Sequence, residues 1–223
     1  MLKIIPFLLE LAENNNKNWF DEHRDEYQEA RLEVLDLVEK LLKQLSYTTP
    51  WVTTIKPSSC LFRINRDIRF SKNKEPYKTH TGIFIAPGGR SSGNPGFYLH
   101  IEPSNSFIGG GLYAPDPKVL QAIRQEIYFN AAEFKQIVLD KVFNQTFGDL
   151  MDERLKRPPK GFPADFPDIE WLKYKHYVVS HTIDDSFLEF DKLLKTSMDT
   201  FLKMLPFIAF LNQAIQNSQE TLP

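Results

Sequence analysis

Residues 82–113 read GIFIAPGGRSSGNPGFYLHIEPSNSFIGGGLY, three short apolar runs separated by connections rich in Pro, Gly and Ser. The runs are residues 82–86, 96–102 and 106–113, each the length of a strand and too short for a stable helix. In the second run His100 and Glu102 stand two apart, and the period of two of a strand places them on one face of a sheet. Connections of this length cannot hold a crossover helix, so the neighbouring strands must be antiparallel.

The pattern changes on either side of this block. Upstream, residues 4–13 predict a short helix ended by Asn14, Asn15 and Asn16. A longer helix then begins near Trp19, with Phe20, Tyr27, Ala30, Val34, Val38, Leu41 and Leu45 on one face. His23 falls on this stripe, where a hydrogen-bonded core histidine is expected. Residues 60–66 (CLFRINR) predict a strand with Phe62 and Ile64 on a common face. Downstream, Asp116 and Pro117 supply an N-cap and a first-turn proline for a helix carrying Val119, Leu120, Ile123 and Ile127. Asn130 with Glu133 resembles a capping box for the next helix. Residues 156–168 are irregular, 177–183 predict a last strand, and 184–216 read as helix with a break near Pro206. Helices, then strands, then helices imply the α+β class rather than alternating βαβ units. The expected architecture is a central antiparallel sheet of about four or five strands flanked by N-terminal and C-terminal helices. It is read as a single domain over 1–223, with N-terminal helices at 4–45 and a β-rich core at about 60–113. The helical C-terminal part, 116–216, includes one strand near 177–183.

Composition narrows the partners. Hydrophobic residues make up 42% and charged residues 25% of the 223, as in ordinary folded chains. The net charge of −2 argues against nucleic acid or an anionic membrane as a partner of the whole molecule. No apolar run reaches the roughly 20 residues that span a bilayer. The single cysteine, Cys60, cannot pair within the chain, which fits a reducing compartment and a cytoplasmic location. As the first residue of a predicted core strand, its thiol is expected to be buried. Nothing in the sequence sets the oligomeric state.

Charge is nevertheless uneven. Residues 63–80 hold Arg63, Arg66, Arg69, Lys72, Lys74 and Lys78 against Asp67 and Glu75, a local charge of +4. Arginine can grip a carboxylate or phosphate through two parallel hydrogen bonds, and lysine acts as a mobile point charge. The same charges would also guard a solvated strand edge. Lys156 and Lys160 lie in a second basic run, KRPPKGF at 156–162, and Lys173 and Lys175 in a third. A small anionic ligand held by Arg63, Arg66, Arg69, Lys72 and Lys78, with Lys156 and Lys160 as a second wall, is the expected partner.

Other signals are thinner. Gly109, Gly110 and Gly111 lack the spacing of a phosphate loop or a dinucleotide fingerprint, leaving a bulge or close backbone approach. His100 and Glu102 share a strand face and are the candidate acid or base. With His80 they could also ligate zinc, but His-x-Glu recurs by chance, so no metal and no cofactor are expected.

Several segments are familiar in combination and in this order: NNNKNWF at 14–20, FRINRDIRFSK at 62–72, PYKTH at 76–80, YLHIEP at 98–103 and LKRPPKG at 155–161. The chain resembles a widespread bacterial and fungal family of conserved hypothetical proteins, a domain of unknown function. The resemblance runs from about Phe7 to about Leu211, departing at Asn73, where Asp is more usual. It implies one α+β domain and supplies no catalytic residues. Because the shared segments are the basic and aromatic ones, it favours an anion-binding surface. Two rival readings are a nucleic-acid-binding module, in which Phe62, Phe70 and Tyr77 stack on bases, and a ligand-free protein-interaction scaffold with an exposed apolar patch.

Overall fold

The three apolar runs form consecutive strands, β1 (Thr81–Ile85), β2 (Gly96–Ile101) and β3 (Phe107–Leu112), and a fourth, β4 (Tyr177–Thr182), completes an antiparallel sheet in the order β1-β2-β3-β4. The computed structural model describes residues 1–220, with the backbone alone for 219 and 220. Before the sheet come α1 (Ile4–Glu13), α2 (Lys17–Glu22), α3 (Arg24–Leu45), a 3₁₀ turn (Pro50–Thr54) and α4 (Pro57–Cys60). Between β3 and β4 come α5 (Pro117–Phe129), α6 (Ala131–Val138), α7 (Lys141–Phe147) and α8 (Ile169–Leu172). A second 3₁₀ turn (Asp185–Phe187) precedes the long α9 (Phe190–Glu220). The fold is α+β, and no helix among the described residues is long and apolar enough to cross a membrane.

The chain divides into two compact units, each assembled from three separate stretches. The first comprises Met1–Ser91, Tyr98–Ile108 and Thr182–Asp199. The second comprises Ser92–Phe97, Gly109–His181 and the residues from Thr200 onward.

In the first unit, α1 buries Ile4, Ile5, Phe7, Leu8 and Leu11, and α3 buries Ala30, Val34, Leu37, Val38, Leu41, Leu42 and Leu45. Asn16 caps α2 by accepting from Trp19 N at 3.1 Å. The long helix expected from Trp19 is interrupted at His23. There the imidazole stacks on Trp19 at 4.1 Å, its Nδ1 lies 2.8 Å from Trp19 O, and the backbone leaves the helical region. Phe7, Phe20 and Tyr27 close this junction, and Phe20 stacks on Tyr77 at 4.1 Å.

The strand expected at residues 60–66 does not form. Pro57 starts a helical turn that includes Cys60, and the chain beyond pairs with its neighbours as the isolated bridges Leu61–Ile83 and Asn65–Tyr77 rather than as a strand. Ile64 is buried while Phe62 is exposed, so the two do not share a buried face. Cys60 is fully buried as expected, but at a helix end.

In the second unit, Asp116 caps α5 by accepting from Lys118 N at 3.1 Å. The Asn130 side chain makes no cap bond to α6. Its amide instead donates to Glu126 Oε1 at 2.7 Å, so the capping box is not realised. Phe134 packs on Trp171, Tyr177, Phe207 and Phe210. Pro206 lies inside α9 without ending it, since its ring sits on the exposed side and Phe207, Ile208, Phe210 and Leu211 continue the buried face beyond it. The glycines of β3 are needed for packing. A Cβ on Gly109 would stand 2.8 Å from Val179 O, and one on Gly110 2.6 Å from Gly96 O. Gly111 adopts φ +115° with its α-carbon against the Tyr177 carbonyl, a conformation and a proximity only glycine tolerates.

Candidate functional site

The site grows from one face of β2. Period-two alternation puts Tyr98, His100 and Glu102 on the same side, Glu102 just past the strand end. His80 immediately precedes the neighbouring β1, and Phe107 opens β3. The structure therefore gathers two imidazoles and a carboxylate, with one potential donor atom from each of His80, His100 and Glu102 lying within 4.8 Å of the others.

His100 is held from every side. Its ring stacks on Phe107 at 4.7 Å and lies 4.4 Å from the His80 ring. The Tyr98 hydroxyl lies 3.0 Å from Nδ1, and Glu102 Oε2 lies 3.2 Å from Nε2. Tyr98 reaches this position because β1 carries Gly82 beneath it. A Cβ there would stand 2.8 Å from the Tyr98 hydroxyl oxygen and 3.1 Å from Phe62 Cδ2. Glu102 is anchored in turn: Asn105 Nδ2 donates to Oε2 at 2.8 Å and Thr79 Oγ1 to Oε1 at 3.4 Å. Its backbone exchanges hydrogen bonds with the Ser106 hydroxyl.

Burial pushes the Glu102 carboxyl up, but hydrogen bonds from Asn105 and His100 and the nearby imidazoles outweigh it, leaving the group below its ordinary range. Burial, reinforced by His100, Lys78 and Arg66, pushes His80 down to about 4 against the opposing pull of Glu102. His80 is therefore neutral at pH 7. Half-buried, its ring makes no hydrogen bond among the described residues.

A basic wall adjoins this cluster. Lys78 Nζ donates to Arg63 O at 2.9 Å and sits 5.5 Å from the centre of the Phe62 ring, which Arg90 also approaches, at 6.0 Å. Phe62 meets Tyr98 edge-on at 6.4 Å, linking the wall to the histidines. Burial, then Arg63 and Arg90, hold the Lys78 ammonium below its usual value. Arg66 is less free, reaching Glu75 Oε2 at 3.4 Å and Ser71 Oγ at 3.5 Å.

Of the residues singled out from sequence, Arg63, Arg66 and Lys78 thus share this neighbourhood. Arg69 is committed elsewhere, donating to Asp67 at 2.9 and 2.6 Å with its side chain 76% exposed. Lys72 is exposed and makes no ion pair among the described residues. Lys156 and Lys160 belong to the second unit, both exposed on the irregular stretch expected there. In the third basic run Lys173 is paired with Glu170, and Lys175 with Glu153.

Sequence reasoning passed over Arg90, a lone cation in a Gly- and Ser-rich connection. It is fixed by donation to Ser59 O at 2.8 Å, a contact across 31 residues that no local pattern announces. Tyr98 was also missed, although its two-residue spacing from His100 was a usable signal.

The model of a family described as conserved hypothetical protein (DUF2461) matches residues 3–210. The chain belongs to this family. No curated protein and no solved structure matches it. The DUF2461 match takes in His80, His100, Glu102 and the whole basic wall, together with Lys156 and Lys160.

Proposed function

We propose that the first unit binds a small phosphorylated or carboxylate-bearing ligand on the wall of Arg63, Arg66, Lys78 and Arg90, in the cytoplasm. The observation that carries this reading is uncompensated charge. Among the described residues Arg63, Lys78 and Arg90 make no ion pair, and Lys78 is half-buried under the influence of the other two. Glu75 pairs with Arg66 and Asp67 with Arg69, which leaves Arg63, Lys78 and Arg90 repelling one another on a partly desolvated surface, and a bound anion removes that repulsion. Phe62 beneath Lys78 and Arg90 supports both cations through its ring face and gives the ligand an apolar edge.

Isothermal titration with inorganic phosphate and pyrophosphate tests the reading. Arg66→Ala is expected to weaken binding by about 1–3 kcal/mol, the scale of a charge-assisted hydrogen bond. With one fewer mutually repelling cation, the empty protein should keep its stability. Unchanged anion affinity in a destabilised Arg66→Ala protein would make the arginine structural and end the proposal.

One observation favours a second reading. Phe70 is 95% exposed with Arg69 5.9 Å from its ring, a pair able to stack on an unpaired base. A single-stranded oligonucleotide bound through several phosphates would lose affinity steeply with salt, whereas a small anion would lose it gently.

A further inference from the structure

We propose that His80, His100 and Glu102 form a three-ligand site for a divalent first-row transition ion such as zinc. The spacing His-x-Glu carries little on its own. What the fold adds is the third donor, brought from 20 residues upstream on the chain leading into β1, and the distances among the three. A tetrahedral ion with bonds of about 2.0–2.1 Å sets its ligand atoms about 3.3 Å apart. His100 Nε2 and Glu102 Oε2 already stand 3.2 Å apart. The His80 donor lies within 4.8 Å of both, on a ring with no hydrogen bond to give up, so a small rotation of one side chain completes the triangle.

The surroundings of His100 are those a ligating histidine requires. Metal-bound imidazoles use one nitrogen for the ion and tether the other. Tyr98 holds His100 Nδ1 at 3.0 Å, and a hydroxyl can accept from Nδ1–H as readily as donate to it, leaving Nε2 to the ion. Phe107 fixes the ring plane, while Asn105 and Thr79 orient the carboxylate. Gly82 makes the Tyr98 contact possible by leaving out a side chain. Two imidazoles and one carboxylate suit zinc and its first-row neighbours and not magnesium or calcium, which take oxygen ligands. Three protein donors leave a coordination position open. The site is argued separately from the anion reading, since none of its donors belongs to the basic wall, although the charges of Lys78 and Arg66 reach His80.

The full chain, stripped with chelator, is dialysed against zinc and analysed for bound metal. About one zinc per chain is expected, with magnesium failing to compete. His80→Ala and Glu102→Gln should each weaken zinc binding more than about tenfold, and Tyr98→Phe, which only loosens His100, by about tenfold. His181→Gln should bind as the parent does. Cobalt(II) in place of zinc should give the intense visible absorption of a four- or five-coordinate ion, lost in His80→Ala. No stoichiometric zinc in the parent protein overturns the proposal. So does undiminished binding in His80→Ala and Glu102→Gln proteins of native circular dichroism. If His80→Ala does not fold, Glu102→Gln, nearly isosteric, decides through the rise in melting temperature that zinc gives the parent and should not give the variant. Phosphate titration of the chelator-stripped parent reads the basic wall separately, so either proposal can fail alone.

Discussion

Gly82→Ala puts one methyl group into the contact that positions His100. The new carbon would lie 2.8 Å from the Tyr98 hydroxyl oxygen, 3.2 Å from Tyr98 Cε2 and 3.1 Å from Phe62 Cδ2, so Tyr98 must move. Overpacking of this kind costs about 1–3 kcal/mol. Alanine also narrows the unfolded ensemble, which offsets about 0.4–1 kcal/mol. The expected net loss is therefore about 1–2 kcal/mol. Tyr98→Phe alone removes the hydroxyl bond to His100 Nδ1 and should cost about 0.5–1.5 kcal/mol. The two changes must not add. With the hydroxyl gone, the tightest of the three clashes is relieved, and the double variant should be more stable than the sum predicts by at least about 0.5 kcal/mol. Urea unfolding of the four proteins, followed by fluorescence and circular dichroism together, measures the cycle. Additivity within about 0.3–0.5 kcal/mol would refute the idea that Gly82 exists to admit the Tyr98 hydroxyl.

Further outcomes follow from two buried groups, Cys60 and Arg124. Burial pushes the Cys60 thiol up to about 11, so the native protein should resist a thiol reagent at pH 8 and react at once in denaturant. Because the unfolded thiol ionises first, stability should fall as pH rises from 9 toward 11, and less steeply in Cys60→Ala; equal slopes would contradict this. Arg124, buried within the second unit, donates to Leu172 O at 2.7 Å and to Tyr174 O at 3.0 Å. Arg124→Ala should cost about 3 kcal/mol or more in urea unfolding, and Arg124→Lys should recover only part of it, since an ammonium lacks the planar fork.

Elements governed by short-range pattern were legible in the sequence. The buried stripe of α3 follows from its spacing, and β1, β2, β3 and β4 fall within one or two residues of the apolar runs that announced them. The failures have two causes. At His23 and at residues 60–66 one local signal was outvoted by another, and at Pro206 it was outvoted by packing. Stacking on Trp19 ended one helix, the turn begun by Pro57 replaced a strand, and a continuous buried face carried α9 past its proline. The site shows a similar division. His100 and Glu102 share a face by alternation alone and His80 was a sequence candidate beside them, whereas Arg90 reaches Phe62 through tertiary contacts that leave no periodic trace.

The interleaving of the two units has a consequence for how the chain is made. The first unit joins Met1–Ser91 to the distant stretch Thr182–Asp199, and Leu2 N donates to Leu188 O at 2.7 Å. At synthesis rates of about 5–20 residues per second, the partner of that amide emerges from the ribosome roughly 10–40 s after the amide itself. During that interval α1 and α3 exist as translated segments whose apolar faces lack their last neighbours. A fragment ending before Thr182 would leave the first unit without its closing segment. The nascent chain is thus a natural client for holding chaperones, and truncated versions should collect in the insoluble fraction.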